Sequence, residues 1–485
     1  MHTLTYKQAW FSNIRGDILA GMTVAFALIP EAIAFAIIAG VNPMVGLFAS
    51  FTIAMVVAFA GGRPGMISAA TGAMALVMVN VVRDYGIEYM FAATVLTGII
   101  QYLLGVFRVG RFITFLPQSV ILGFVNALAI LIFMAQLPQF VDVGWEMYAM
   151  VAGTLAIIYL FPRVTKKFPS ALLAIIVMTI VAVWTGADLR TVGDMGTITR
   201  DLPSFHIANI PFTFETLKIL LPFSLSLAVV GMFESLLTAT ILDEMTQTKS
   251  DKNREIRGQG LANVVTGFFG GMAGCAMIGQ SVIHVKSGGR GRLGTFWAGL
   301  FLVFLLLVLS DVVRQIPMAA LVGVMFMVSI GTFDWKSILH IRRMPVSEAF
   351  VMLLTMGIVV ATHDLSKGVL AGVVISALLF GWKISRLKVS SSFEQGGTRK
   401  VYHVTGPLFF GTTSQFLDMF EVDNDPSQIV IDFSGSHVWD HSAVTAISKV
   451  LNKYRESGKV GTLVGLNDES RFLMERVGLK INSAQ

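Results

Sequence analysis

Long apolar runs, each closed by a short polar or glycine-rich break, follow one another from Ile18 to Trp382 and constrain this chain more than any other feature. About 20 apolar residues cross a bilayer as a helix, and shorter pieces serve where a helix is broken inside protein. Fourteen candidate spans result, from Ile18–Ala39 to Gly368–Trp382. The third (Met66–Val82), ninth (Gln259–Gly271) and tenth (Cys275–Ile283) are short and rich in Gly, Ala and Ser. A hydrophobic fraction of 54% against 14% charged residues agrees, because a soluble chain of 485 residues would have more water-facing surface to cover.

Charge in the connections tests this topology. An even number of spans puts both ends on one side, and basic residues favour the cytoplasm. With the N-terminus inside, the cytoplasmic connections hold sixteen Lys and Arg, among them Arg63, Arg108, Arg111, Arg163, Lys166, Lys167 and the run from Lys249 to Arg257. The external ones hold six. The excess of 36 basic over 30 acidic residues is scattered and forms no continuous basic face, which argues against nucleic acid. Met1–Asp17 has no small-residue cleavage site and is expected to stay as a juxtamembrane segment. The expected location is the inner or plasma membrane, multi-pass, with both termini cytoplasmic.

The composition changes after Trp382. Lys383, Arg386 and Lys388 form a basic stop, Ser390–Gly397 reads as a polar linker, and a small α/β domain follows. The expected division is 1–388, a membrane domain; 389–399, a linker; and 400–485, the α/β domain. In the last, Val401–Val404, Ile429–Phe433 and Val460–Leu466 read as strands. Ser442–Ser457 reads as an amphipathic helix with Val444, Ile447, Val450, Leu451 and Tyr454 on one side, and Asp468–Val477 as a second helix. A turn is expected at Gly435, and Asp440 or His441 near the helix N-cap.

Charges within spans are costly, so each is a functional candidate. Glu31 follows Pro30 in the middle of the first span, and Glu234 lies in the middle of the eighth. Each half thus opens on a span with a central carboxylate, although either could merely fix helix packing. Glu31 is followed 40 residues later by Thr71 in PGMISAATGAMAL, and Glu234 is followed 42 residues later by Ala276 in GMAGCAMIGQS. Such matched, small-residue segments are what a discontinuous span in each half of an inverted repeat requires, with two helix N-termini facing each other near the midplane. Exposed N–H groups and the positive dipole end make such tips an anion site without Lys or Arg.

Several segments in order, IPEAIAFAIIAGVNPMVGLFAS, ISAATGAMAL, the stretch from GMFESLLTAT to QSVIHVKSGGR, and IVIDFSGSHVWDHSAV, resemble the SulP (sulfate permease) anion transporters with their C-terminal STAS domain. The resemblance covers nearly the whole chain. It implies an all-α membrane domain of fourteen spans in a 7+7 inverted repeat, core and gate subdomains, elevator-like transport, a homodimer, and a cytoplasmic STAS domain. By position, it places a small inorganic anion between the tips of spans three and ten, beside Ala70, Thr71 and Gly72 on one side and Ala276, Met277 and Ile278 on the other. Glu234 and Thr238 would hold or replace a coupling cation, sodium or a proton, with Phe35 and Glu31 approaching from span one. Space at Ala276 is then expected to serve the ligand and not packing.

Two departures matter: the bicarbonate branch tends to have Asp at Glu234 and a small polar residue at Ile278, and many animal members carry an Arg close to Gln280. Ser442 falls where bacterial STAS antagonists of anti-sigma factors carry a phosphorylatable serine, though a helix cap explains it as well.

No catalytic site is legible. One cysteine excludes a disulfide framework and a cysteine-rich metal site, the eight His lack metal-ligand spacing, and GGRGRLG at 288–294 has no strand before it. No cofactor is expected beyond sodium as a coupling ion. The charge run from Lys249 to Arg257 reads as a solvated cytoplasmic loop. Against an anion transporter of the bicarbonate or sulfate class stand a dicarboxylate or nucleobase carrier of the same fold, and a membrane-anchored signalling protein whose output is the STAS domain.

Overall fold

In lipid every backbone N–H and C=O must be satisfied within the chain, so the apolar runs have little choice of local structure. In the computed structural model the described residues are 5–110, 117–165, 169–196, 198–394 and 398–478. Each of the fourteen runs is a helix there or, at the third and tenth, a short strand leading into a helix. Arg111, Lys166, Lys167 and the readings that fall on residues 1–4, 395–397 and 479–485 lie outside the described residues. The chain divides into two compact units, Met1–Val373 and Val374–Gln485.

The first unit begins with α1 (Tyr6–Phe11). Its first half then runs through α2 (Ile14–Ile38), α3 (Pro43–Ala60), β1 (Ser68–Ala70), α4 (Gly72–Tyr85), α5 (Ile87–Val106), α6 (Gln118–Met134), α7 (Trp145–Leu160) and α8 (Ser170–Thr185). After the short α9 (Val192–Met195), the second half runs through α10 (Phe214–Thr246), α11 (Lys252–Phe268), β2 (Gly274–Ala276), α12 (Ile278–Lys286), α13 (Arg292–Arg314), α14 (Met318–Thr332), α15 (Trp335–Leu339), α16 (Val346–Thr362) and α17 (Leu365–Ile384). Among the described residues, eight helices are long and apolar enough to cross a membrane, and α8, α14 and α16 are shorter apolar ones.

Packing partners come in exchanged pairs between the halves. Helix α2 packs on α12 and α13, while α10 packs on α4 and α5; α3 meets α13 where α11 meets α5. Those elements form one set of helices, and α6, α7, α8, α14 and α16 pack among themselves as a second. Close backbone approach explains the glycines of α5 and α11. A Cβ on Gly98 would lie 2.5 Å from the Gly260 carbonyl oxygen, and one on Gly260 2.5 Å from the Tyr102 amide nitrogen.

The charge run from Lys249 to Arg257 is not the solvated loop its composition predicts. Residues from Lys252 onward form the first turns of α11, and Glu255 is fully buried, accepting from the backbone N–H groups of Gly62 (2.7 Å) and Arg63 (2.9 Å). Arg63, 4% exposed, pairs with Asp243 at 3.5 Å and donates to Thr246 and Thr248. Lys252 donates to the same Asp243 at 2.9 Å. Arg63, Lys252 and Asp243 are thus paired in the interior, where an unpaired charge would be costly, while Lys249 and Asp251 at the start of the run are exposed.

In the second unit, the residues after α17 form β3 (Lys388–Glu394), β4 (Arg399–Leu408), α18 (Thr413–Leu417), β5 (Gln428–Val438), α19 (His441–Glu456), β6 (Val460–Val464) and α20 (Asp468–Arg476). The sheet order is β3-β4-β5-β6, with β3 antiparallel to β4 and the other pairs parallel. Two expectations change. The polar stretch expected as a linker is largely an edge strand, since serines at a sheet edge face water without penalty. And β5 runs through Gly435 to Val438, because the pairing with β4 slips between His403 and Thr405 and resumes at Gly435; the glycine marks an irregularity in the strand, not a turn. The apolar side of α19 is buried as read, with Val444, Ile447, Val450 and Tyr454 at most 3% exposed.

Under that sheet, the Asp425 side chain is fully buried and accepts from Lys400 Nζ (2.7 Å), Tyr402 OH (2.7 Å) and Tyr454 OH (2.5 Å). Burial alone would raise its pKa, but the hydrogen bonds from Lys400, Tyr454 and Tyr402 outweigh it and hold the carboxyl below its ordinary value of 3.8. A depressed folded-state pKa supplies stability that is fully present above the ordinary aspartate range and is lost as pH falls through the depressed value. Removing one partner of a buried charge pair costs about 3–5 kcal/mol, so Asp425→Asn is expected to destabilise this unit by that order. Hydrogen exchange of β4, β5 and β6 in the full-length protein measures it; exchange as slow as in the wild type would show that the buried charge contributes nothing.

Candidate functional site

Strands β1 and β2 pair antiparallel in the interior of the first unit, with Ser68 opposite Ala276, Ala69 opposite Cys275 and Ala70 opposite Gly274. Each leads directly into a helix. Because the strands are antiparallel, α4 and α12 leave in opposite directions and their N-termini face each other across the pair. A Cβ on Gly274 would stand 2.1 Å from the Ala69 carbonyl oxygen, so only glycine admits this pairing.

Two strands of three residues leave edge groups unpaired, and polar side chains from the surrounding helices take them up. Asn263 of α11 accepts from Gly274 N–H (2.9 Å) and donates to its carbonyl (3.0 Å), as a neighbouring strand would. Ser50 accepts from Ala70 N–H (3.3 Å) and Ser235 from Ala276 N–H (3.1 Å). The polarity that shortens the ninth apolar run is therefore spent on holding the strands.

The helix tips differ. Thr71 caps α4, its hydroxyl accepting from Met74 N–H at 3.4 Å; Met277, before α12, supplies no side-chain cap. First-turn N–H groups have no acceptor within a helix, and at these tips they begin at Gly72 and at Ile278. A cavity of about 500 Å³ opens beside both tips. Glu31 and Phe35 of α2, Thr71 and Gly72, Glu234 of α10, and Met277, Ile278, Gly279 and Gln280 line one side; Ile121, Val125, Leu128 and Ile132 of α6 and Met327 and Val328 of α14 line the other. No Lys, Arg or His is among its lining residues.

Both span carboxylates reach strand or helix-tip residues. Glu31, 8% exposed, accepts from Gln280 Nε2 at 2.5 Å. Glu234, also 8% exposed, accepts from Cys275 Sγ at 2.9 Å, and that sulfur lies 3.1 Å from the Thr71 hydroxyl. One hydrogen-bonded chain thus joins the α10 carboxylate through β2 to the tip of α4.

Of the residues singled out in the sequence, Glu31, Phe35, Thr71, Gly72, Glu234, Met277 and Ile278 come together on this cavity. Ala70, Ala276 and Thr238 are not among its lining residues. Ala70 is 1% exposed in β1, and Thr238 turns its hydroxyl back onto the Glu234 carbonyl at 2.7 Å. The expectation that Ala276 faces free space is overturned: it is fully buried in a cluster with Met66, Ala239, Leu242 and Val285, and its N–H is taken by Ser235. Cys275, Gly279 and the apolar wall from α6 and α14 were not singled out. The first two stand within three residues of Ala276, whereas nothing in the sequence brings α6 to the tips. In the second unit, Asp440 is the N-cap of α19, accepting from Ala443 N–H at 2.9 Å, so Ser442 is exposed at the second helical residue and does not cap it.

Paired broken helices enclosed by long apolar ones define a multi-pass membrane protein built like a carrier. Residues 14–152 and 142–355 match the sulfate permease family, and residues 392–482 match the STAS domain. The chain therefore belongs to the sulfate permease family, whose members are anion transporters and not enzymes. It is 58% identical over 476 residues to YbaR of Bacillus subtilis, a protein provisionally named a sulfate transporter, covering 98% of this chain and 99% of that one. It is 26% identical to the bicarbonate transporter BicA of Picosynechococcus sp., over 97% of this chain and 92% of that protein. The solved transmembrane domain of a cyanobacterial BicA superposes with a TM-score of 0.67 at 27% identity, over 76% of this chain and 98% of that one. Murine Slc26a9 in its inward-facing state shares the fold, with a TM-score of 0.84 at 17% identity over 96% of this chain and 87% of that one.

Proposed function

We propose that this protein is a secondary active transporter of a small inorganic oxyanion, of the bicarbonate or sulfate class, that binds between the tips of α4 and α12. The observation that carries this reading is the pair of opposed helix N-termini on one cavity that is lined by three carboxylates, Glu31, Glu234 and Asp334, and by no basic side chain. Helix N-termini offer the anion its donors, with Thr71, Gly72, Met277 and Ile278 forming the tips and Phe35 covering them. Glu234 carries the coupling cation, a proton or sodium, because an anion cannot share a low-dielectric cavity with a bare carboxylate. Glu31 positions Gln280. The helix set that holds the site moves against the set containing α6 and α14, which is an elevator-like motion between two repeats of seven spans. Basic connections put both termini in the cytoplasm.

Uptake of labelled bicarbonate, sulfate and fumarate into proteoliposomes, under imposed proton or sodium gradients, tests this reading. Accumulation of an inorganic anion driven by either gradient supports it. Uptake of fumarate alone would make the protein a dicarboxylate carrier, and no uptake at all would favour a signalling role for the STAS domain.

On this reading the STAS domain supports a homodimer and tunes turnover, while the first unit holds the whole substrate site; Ser442, exposed near the positive end of α19, is a candidate for phosphorylation. Truncation after Arg386 is expected to leave anion affinity within about twofold while lowering rate or expression, since the cavity is lined by residues of the first unit alone. A tenfold loss of affinity in that truncated protein would overturn the division of labour.

A further inference from the structure

A second cavity, of about 640 Å³, lies at the far end of the same helices. Ile38 at the end of α2, Asn80 and Arg83 in the last turns of α4, Gln136 after α6 and His363 after α16 line it. By helical rise, Arg83 stands about 16 Å beyond the α4 tip. The first cavity runs the other way, to Ile241 of α10, Ile283 of α12 and Asp334 before α15. A thin partition divides the two. Phe35 and Ile132 line the first, while their neighbours Ala34 and Leu131 line the second. Phe35 and Ile132 converge on the tip of α4: a Cβ on Gly72 would lie 2.9 Å from Phe35 Cε1 and 3.1 Å from Ile132 Cδ1.

The two cavities differ in charge. Among the described residues, Glu31, Glu234 and Asp334 line the first with no Lys, Arg or His, whereas Arg83 and His363 line the second with no Asp or Glu. A guanidinium stays charged in a protein. Asp84, 2.8 Å from Arg83, is not among the lining residues, and with side chains 67% and 45% exposed such a pair holds weakly and leaves Arg83 free to meet another anion. A basic side chain in a last turn offsets a helix dipole wherever it stands; two on one concave wall also make a field, which low-dielectric walls focus. We propose that this second cavity is an antechamber that collects the anion through Arg83 and His363 and passes it to the tips when Phe35 and Ile132 part. The inference rests on the transporter reading, and on the topology proposed there the antechamber faces outside.

A thiol placed in the cavity reads its field without relying on turnover. Asn80 is partly exposed there, and the one native cysteine, Cys275, is fully buried, so Asn80→Cys offers the accessible thiol. Full-length Asn80→Cys protein in right-side-out membrane vesicles is treated at low ionic strength with an anionic and a cationic methanethiosulfonate, each rate being normalised to that with a free thiol. The anionic reagent is expected to react about tenfold faster, the low end of what a focused field gives. Adding Arg83→Gln is expected to bring the two rates within about twofold, and Arg83→Lys, which keeps the charge, to preserve the difference. Sulfate or bicarbonate is expected to slow the anionic reagent wherever the charge is kept. Because Arg83 and its bonds to Asp84 are at the surface, the fold does not depend on them. Equal rates for the two reagents overturn the proposal, as does a preference that survives Arg83→Gln together with His363→Gln, or labelling in inside-out vesicles alone. Absence of protection by either anion, in protein that still transports it, overturns this inference and leaves the transporter reading standing; absence of transport by the wild-type protein removes both.

Discussion

Glu234→Gln is expected to abolish gradient-driven anion accumulation, lowering it at least tenfold, while anion exchange across the membrane continues. The glutamine keeps the shape of the side chain and an oxygen that can still accept from Cys275, whose sulfur lies 2.9 Å from Glu234 Oε2. What it removes, on the proposed reading, is the group that would bind the coupling cation. Two like charges about 4 Å apart at an effective dielectric of about 20 repel by roughly 4 kcal/mol, close to a thousandfold in affinity. On the proposed reading, an anion therefore enters a cavity holding an ionised Glu234 only together with a cation, and that requirement would couple the two fluxes. With a permanently neutral residue the anion binds alone and follows its own gradient. Uptake into proteoliposomes under imposed proton and sodium gradients reads this directly, with counterflow as the control for a folded carrier. Accumulation that keeps its full dependence on either gradient would take the coupling role away from Glu234.

Much of the site was legible because its parts break the local rule of the segments around them. A carboxylate in an apolar run, as at Glu31 and Glu234, is expensive unless used, and short Gly- and Ala-rich runs stand out among long ones. These signals sufficed to find both broken spans and seven of the cavity's lining residues. They could not say which small residue faces the cavity and which faces packing. Ala276 and Gly279 look alike in the sequence, yet one pairs in β2 and the other opens the first turn of α12. Nor could they bring α6 and α14 to the site, since the buried polar residues of those helices, Asn126 and Ser329, bond to Ser337, Asp334 and Ala129 and not to the tips. The charge run at the start of α11 misled for a related reason: Glu255 read as exposure, but it satisfies loop N–H groups that exist only in the folded chain. In the STAS domain the alternating apolar strands and the apolar side of α19 were clear. The edge strand β3, polar throughout, had no core-facing pattern to reveal it.

The contrast between Ala276 and Gly279 supplies the sharper test of where the anion sits. Gly279 is exposed to the cavity, and a Cβ built on it meets nothing within 4 Å. Its backbone is ordinary helix, so replacement by leucine gains helix propensity of about 1 kcal/mol and strains nothing. The added side chain stands over the N–H groups that begin α12. If those groups hold the anion, Gly279→Leu is expected to weaken binding by on the order of 100-fold, the scale on which a misplaced reactant loses its site, while thermal stability stays at or above that of the wild type. Ala276→Leu is expected to behave in the opposite way. Its Cβ is packed against Met66, Ala239, Leu242 and Val285, and overpacking such a cluster costs about 1–3 kcal/mol, so that variant loses stability first and transport only as a consequence. Melting curves and anion calorimetry on the two purified variants separate these effects. A Gly279→Leu protein that binds and transports normally would show that the anion does not rest on the tip of α12, and would place it on the α4 side of the strand pair.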